Sequence, residues 1–242
     1  MRFFGLFTSL IILPTLVACS SQKDDTYAGD PKAQVQGVIE GDASAGGGVK
    51  VALFWNNFAK NGDTYEVTDA PVKGSFPATF TLDITKLPST DGLNDFSFGG
   101  KLANESRVGV ADIIAWNADV PVSADETIWD ANLRGVAGDN VVVYVAGDVQ
   151  PGTYSETFLG GPLKAGLHLM KVVRLSDEEK NAADAAHETC IDALPEGYTD
   201  AQYFGCPRDG TFDRLVEEPE GFSKQVVLKM GAPADLDYPN YT

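Results

Sequence analysis

Apolar and polar residues alternate along much of this chain, and the alternation is sharpest from Phe76 to Ile84. There Phe76, Ala78, Phe80, Leu82 and Ile84 are separated by Pro77, Thr79, Thr81 and Asp83. A period of two puts one face of an extended strand into a core and the other into water. Pro77 cannot donate to a ladder, so it moves the start of this strand toward a sheet edge. The same period marks residues 34–39 and 49–55, where Val49, Val51, Leu53 and Trp55 share a face, and the Gly- and Ala-rich run from Gly41 to Gly48 between them reads as a turn. Further strands are expected over residues 64–67, 108–116, 127–133, 141–146, 167–175 and 225–230. Short strands at regular spacing, with Gly and Asp between them, predict an all-β sandwich rather than alternating β and α units.

One helix stands out against this background. Ser176-Asp177-Glu178-Glu179 is a capping box, in which the serine oxygen and the glutamate three residues later satisfy backbone N–H groups that a first turn leaves open. The alanine-rich stretch 181–188 follows, and the helix is expected to end near Cys190.

The amino terminus follows a different plan. Arg2 precedes a mostly apolar run from Phe3 to Val17 that ends in the small residue Ala18, the layout of an export signal over residues 1–18. A membrane-spanning helix needs about 20 predominantly apolar residues; this run is shorter, contains Pro14 and passes directly into Cys19-Ser20-Ser21-Gln22-Lys23-Asp24-Asp25. Leu16-Val17-Ala18-Cys19 resembles the lipobox of bacterial lipoproteins. That resemblance implies cleavage before Cys19 after its thiol has received a diacylglyceryl group, so Cys19 is the candidate lipid anchor. Ser20, where an aspartate tends to retain such proteins at the inner membrane, implies the outer membrane, with the side it faces left open. Several acyl chains hold a protein on a bilayer far better than one, at about 0.8 kcal/mol per buried methylene. Residues 19–32 are polar and read as a flexible tether. Residues 33–242 form the β-rich globular part, either as one unit or as a sandwich module over 33–90 followed by a second β subdomain over 100–235.

Charge narrows the partners. Lys and Arg number 18 against 35 Asp and Glu, for a formal net charge of −17, and loss of Arg2 with the signal makes it −18. Such a surface repels phosphate backbones, which argues against nucleic acid as a partner. The membrane, through the lipid, and an envelope protein or glycan are the expected partners. With 43% hydrophobic residues the chain can bury a full core. Of three cysteines, lipidation of Cys19 leaves Cys190 and Cys206, sixteen positions apart. In an oxidising compartment these are expected to pair, stabilising the fold by about 3 kcal/mol on the chain-entropy estimate. Buried thiols, or a metal site using His187, are the alternatives.

Two stretches resemble known proteins. Val35-Gln36-Gly37-Val38-Ile39-Glu40-Gly41, the strand 49–55, Thr68-Asp69 ahead of Gly74-Ser75-Phe76, and Leu87-Pro88 look like the prealbumin-like or carboxypeptidase-regulatory-like β-sandwich modules of exported bacterial proteins. This resemblance spans residues 35–88 and implies an Ig-like or prealbumin-like β-sandwich. Arg107-Val108-Gly109-Val110-Ala111-Asp112-Ile113-Ile114-Ala115-Trp116-Asn117, with Val141-Val142-Val143-Tyr144-Val145 after it, is similar to uncharacterised lipoproteins of myxobacteria and their neighbours, a family that implies no activity. Its members carry a short Asp/Asn/Gly-rich run after the first of these strands, where this chain has Asn117-Ala118-Asp119-Val120-Pro121.

Catalytic spacings are not found: no Gly-x-Ser-x-Gly, no Gly-rich loop ending in Lys-Ser or Lys-Thr, no His-Glu-x-x-His. His168 lies within an expected strand and reads as a hydrogen-bonded structural residue rather than a base; His187 lies on the helix, facing solvent or packed near the cysteines. No cofactor is expected, except that Asp119, Asp125, Glu126 and Asp130 offer oxygen ligands for calcium, against the plainer reading of a solvated acidic loop. Trp55 and Trp116 complete apolar alternations and are expected in the core, whereas Trp129 stands opposite Ile128 and could face a ligand. Function therefore reads as a membrane-anchored, non-enzymatic binding or structural module, with an envelope hydrolase acting on polysaccharide or peptidoglycan through paired carboxylates as the alternative.

Overall fold

Nine consecutive residues of one strand, Val108 to Trp116, are buried, and the rest of the molecule is arranged to cover both of their faces. In the computed structural model, residues 31–41, 48–56, 67–72, 76–89, 93–97, 102–199, 202–203, 205–206, 213–232 and 236 are described. The elements in chain order are β1 (Ala33–Glu40), β2 (Val49–Asn56), β3 (Val67–Pro71), β4 (Ala78–Ile84), β5 (Asn94–Asp95), β6 (Arg107–Asn117), α1 (Glu126–Asn132), β7 (Leu133–Val145), α2 (Tyr154–Phe158), β8 (Gly166–Val173), α3 (Asp177–Asp192), β9 (Arg214–Glu217) and β10 (Gln225–Met230), with a 3-10 turn over Gly221–Ser223. The chain is mostly β, as the alternation requires.

The ten strands among the described residues belong to one hydrogen-bonded sheet, whose main path runs β3-β2-β6-β7-β10-β1-β4. The path curls into a partly barrel-like form. Its interior holds inward residues of the walls, among them Val35 and Ile39 of β1, Val51, Leu53 and Trp55 of β2, Phe80, Leu82 and Ile84 of β4, Ala111, Ile113 and Ala115 of β6, Val142 of β7, and Val226 and Leu228 of β10. The stretches 33–90 and 100–235 share this sheet, because β1 pairs with β10 in parallel and β2 with β6 antiparallel. β4 alternates buried and exposed residues along its whole length and is the last strand of the path, in keeping with Pro77 at its entrance.

Strand β7 forks the sheet. Gly135 and Val136 pair with β10, whereas Asn140 to Val145 pair with β8, which in turn carries β9. The fork lies at a bulge: Asp112 faces Val141 but Ile114 faces Val136, so extra β7 residues bow out opposite Ile113. Ala-Gly-Asp-Asn over 137–140 reads in the sequence as a break, and expecting a strand only from Val141 missed the first half of β7. The exposed side of the bulge is held by Arg174, which donates to the Gly138 carbonyl at 3.1 Å. Close approach of β10 needs glycine at 135, since a Cβ there would stand 2.4 Å from the Lys229 carbonyl oxygen.

The outer face of β6 is covered in two places. Val108 and Val110 pack with Val141, Val143, Met170 and Leu215 under Val149, Leu159 and Leu163 from the α2 segment. Ile114 and Trp116 pack with Ala52, Phe54 and Leu133 under Trp129 of α1. This α1 replaces the strand expected over 127–133. The Asp125 carboxylate accepts from the Ile128 N–H at 3.1 Å and starts a helix, which turns Trp129 alone onto Phe54 and Trp116, at ring centroid distances of 4.9 and 5.3 Å. Ile128 is left 39% exposed. Packing of one large, partly buried indole, with a capped first turn, outweighs the strand propensity of Thr-Ile-Trp. Of the strand expected over 64–67, only Val67 falls within the described residues, as the start of β3.

Replacing Ile113 by Ala removes interior volume from a wall that has no room to collapse, and should cost about 2–5 kcal/mol in urea-unfolding free energy. The same kind of truncation at exposed Val227 should change it by no more than about 0.5 kcal/mol.

Candidate functional site

Side chains with the chemistry to do catalysis are used here to join elements. α3 buries none of its residues, so its attachment depends on polar contacts. Its start is held by Asp213, whose side chain is 1% exposed and accepts from Arg174 at 2.9 Å, from the Leu175 N–H at 3.2 Å and from Lys180 at 2.9 Å. One buried carboxylate thus ties the end of β8, the entrance of β9 and the first turns of α3. The expected capping box is present: Ser176 accepts from the Glu179 N–H, and Glu179 accepts from the Ser176 N–H and hydroxyl. These bonds, the backbone one foremost, hold the Glu179 carboxyl below its ordinary range. The far end of α3 is held by the disulfide Cys190–Cys206, Cα atoms 5.6 Å apart. Tyr203 lies beside it, edge-on to His187 and stacked with exposed Tyr198.

His168 is likewise structural in its contacts. Nδ1 meets the Glu217 carboxylate and Nε2 the Lys164 carbonyl, both at 2.7 Å, which links β8, β9 and the segment before β8. Glu105 caps α2, accepting from the N–H groups of Tyr154 and Ser155 and from the Ser155 hydroxyl. At the other end of α2 the Gly160 N–H returns to Thr157 and the Gly161 N–H to Glu156, a Schellman closure with Gly160 at φ +68°. Gly160 lies against the Leu215 carbonyl, where a Cβ would come within 2.1 Å, and so covers part of the open edge of β9. A groove of about 480 Å³ remains beside it, lined by Glu156, Thr157, Gly161, Arg214 and Val216.

The calcium candidates lie in two places. Asp119 sits in the turn after β6, Asp125 is the N-cap of α1 and Asp130 is exposed on that helix, while the Glu126 side chain lies outside the described residues. Among the described residues no group of three or more His, Cys, Asp or Glu is placed to hold a metal. Trp55 and Trp116 are buried as expected, and Trp129 belongs to the α1 cover rather than to a ligand face. Cys19, the signal and the tether up to residue 30 lie outside the described residues.

A different surface was not singled out by motif: the outer face of β10, β1 and β4. Register aligns its outward residues in rows, Gln225–Gln36–Thr81, Val227–Val38–Thr79 and Lys229–Glu40, with Gln34 beside Asp83. Unlike the outer face of β6, it carries no helix among the described residues. Gln36 donates to the Gln34 carbonyl and Gln34 to the Asp83 carboxylate, each at 2.7 Å. This relay fixes which end of each amide points outward. Alternation alone identifies these positions as solvent-facing, but only the pairing of β1 with both β10 and β4 brings them into one patch.

Replacing Asp213 by Ala leaves two partly exposed cations without their shared carboxylate. Urea unfolding should show a loss of about 3 kcal/mol, the low end for a broken buried pair because Arg174 and Lys180 reach water, and limited proteolysis should then cut first within α3. Acid should act through a second set of groups. The Lys164 ammonium and the Ala165 N–H hold Asp148 below its ordinary range, and the Ser97 hydroxyl and N–H do the same for Asp95, as the capping box does for Glu179. A carboxyl depressed in the folded state stabilises it above the ordinary carboxyl range and ceases to as pH falls through the depressed value. Stability should therefore hold from pH 7 to about 5 and fall below about 4, and the gap between wild type and E179Q in urea midpoint should narrow over that fall. No family model, no curated protein and no solved structure matches this chain.

Proposed function

We propose that this chain is an envelope lipoprotein, anchored by acyl chains on Cys19 at the outer membrane, whose β-rich domain is a non-enzymatic binding module. The supporting observation is how its reactive side chains are spent. His168, Glu105 and Asp213 each hold one element to another, and Asp125 and Glu179 cap the first turns of their own helices, so their geometry serves the frame. On this reading the two opposed walls of the curled sheet stand for the sandwich expected from the alternation, and the uncovered face of β10, β1 and β4 is the binding surface. Acidity keeps the domain clear of anionic lipid head groups, and residues 19–32 act as the tether that lets the face reach a partner. Calcium at Asp119, Asp125, Glu126 or Asp130 would be an accessory to this role.

Expression in a bacterial host with intact-mass analysis of the membrane fraction tests the anchor. The account expects a chain that begins at Cys19 and carries the mass of a diacylglyceryl group plus an amide-linked acyl chain, and a C19A variant that is not acylated and leaves the membrane fraction once cleaved. Recovery of the wild type in the soluble fraction with an unmodified Cys19 would refute it.

A further inference from the structure

We propose that the outer face of β10, β1 and β4 binds a neutral polyhydroxylated chain, a glycan without charged groups, laid across the three strands. The proposal rests on the binding-module reading and names the ligand class of its surface. In a molecule of net charge −17, an anionic chain is repelled at long range, and a cationic one is drawn to carboxylates spread elsewhere, such as Asp177, Glu178 and Asp184 on α3. This face offers neither attraction. Glu40 stands beside Lys229 in register, Asp83 accepts from Gln34, and the remaining groups are amides, hydroxyls and two valines.

Amides suit a polyol because each carries donors and an acceptor, as adjacent sugar hydroxyls do. Three glutamines and two threonines stand in rows one strand apart, about 4.8 Å, on a wall held by the barrel core behind it. The relay from Gln36 through Gln34 to Asp83 orders long side chains that would otherwise lose rotamer entropy on binding. The Val227–Val38 stripe, with Val227 40% exposed, gives the C–H face of a ring an apolar seat. A protein partner is bound through a desolvated core rich in aromatic side chains, and the aligned outward residues of this face include two valines and no aromatic ring.

The test uses the full chain in a zwitterionic detergent, with maltohexaose and cellohexaose as neutral probes and hexagalacturonate as the anionic one. Side-chain amide resonances are followed by NMR and affinity by calorimetry. The proposal expects at least one neutral hexasaccharide to shift Gln34, Gln36 and Gln225 saturably while Gln150 and Gln202, away from the face, stay put. It expects hexagalacturonate not to bind, and the double variant Q36A/Q225A to weaken binding about tenfold or more, with an unchanged melting temperature. Four results would overturn it: no saturable binding of either neutral probe, equal binding of hexagalacturonate, undiminished binding by the double variant, or loss of binding in Y198A instead. Shortened oligosaccharides in the same incubation would overturn the non-enzymatic reading itself, whereas intact sugar with no response at the glutamines overturns only the glycan face.

Discussion

The constraint on which the structure depends is the double-sided burial of β6. Its odd residues Ala111, Ile113 and Ala115 fill the interior of the curled sheet, and its even residues Val108, Val110, Ile114 and Trp116 face outward. An antiparallel strand that is apolar on both faces is unstable unless something covers the second face. The α2 segment covers one end and α1 the other, and the β7 bulge lets the neighbouring strand serve β10 at its start and β8 at its finish. The forked topology follows from that division, because a regular β7 would have kept a single neighbour on the side away from β6.

Charge does a different job from apolar burial. Where a helix has no apolar face to bury, the fold attaches it by a buried carboxylate and a disulfide, as at α3. Where an edge would invite another strand, a glycine closure lies over it, as Gly160 does at Leu215. Contacts of this joining kind also engage His168 and several of the carboxylates that a search for catalysis would single out. One exposed wall, the outer face of β10, β1 and β4, carries amides, hydroxyls and two valines beside Glu40, Lys229 and Asp83.

Local signals were legible in the sequence and non-local ones were not. The strict alternation over residues 76–84, the face shared by Val49, Val51, Leu53 and Trp55, the run 225–230 and the Ser176 capping box all depend on neighbours within a few positions, and each is present in the structure. Pairing of Cys190 with Cys206 followed from counting thiols. The misread elements depend on distant residues. Thr127-Ile128-Trp129 has strand chemistry; the Asp125 cap starts a helix there, and Phe54 and Trp116 on other strands give its Trp129 a seat. Gly138-Asp139 has turn chemistry, and only its place opposite Ile113, with Arg174 on the carbonyl, makes it a bulge within a strand. Tyr154 to Phe158 is too short to announce itself, although Gly160-Gly161 is the signal that could have found its end. Likewise Gln34, Gln36, Thr79, Thr81 and Gln225 are unremarkable polar positions until β1 is paired with both neighbours.

Native-state amide hydrogen exchange bears most directly on the claim that β6 is the common wall of the fold. The account predicts that N–H groups of β6 and of β7 from Val141 to Val145 exchange only through complete unfolding, with opening free energies equal to the global value from denaturant unfolding, while α3 opens at lower cost. Exchange of β6 amides through a smaller opening than that of β1 or β4 would contradict it.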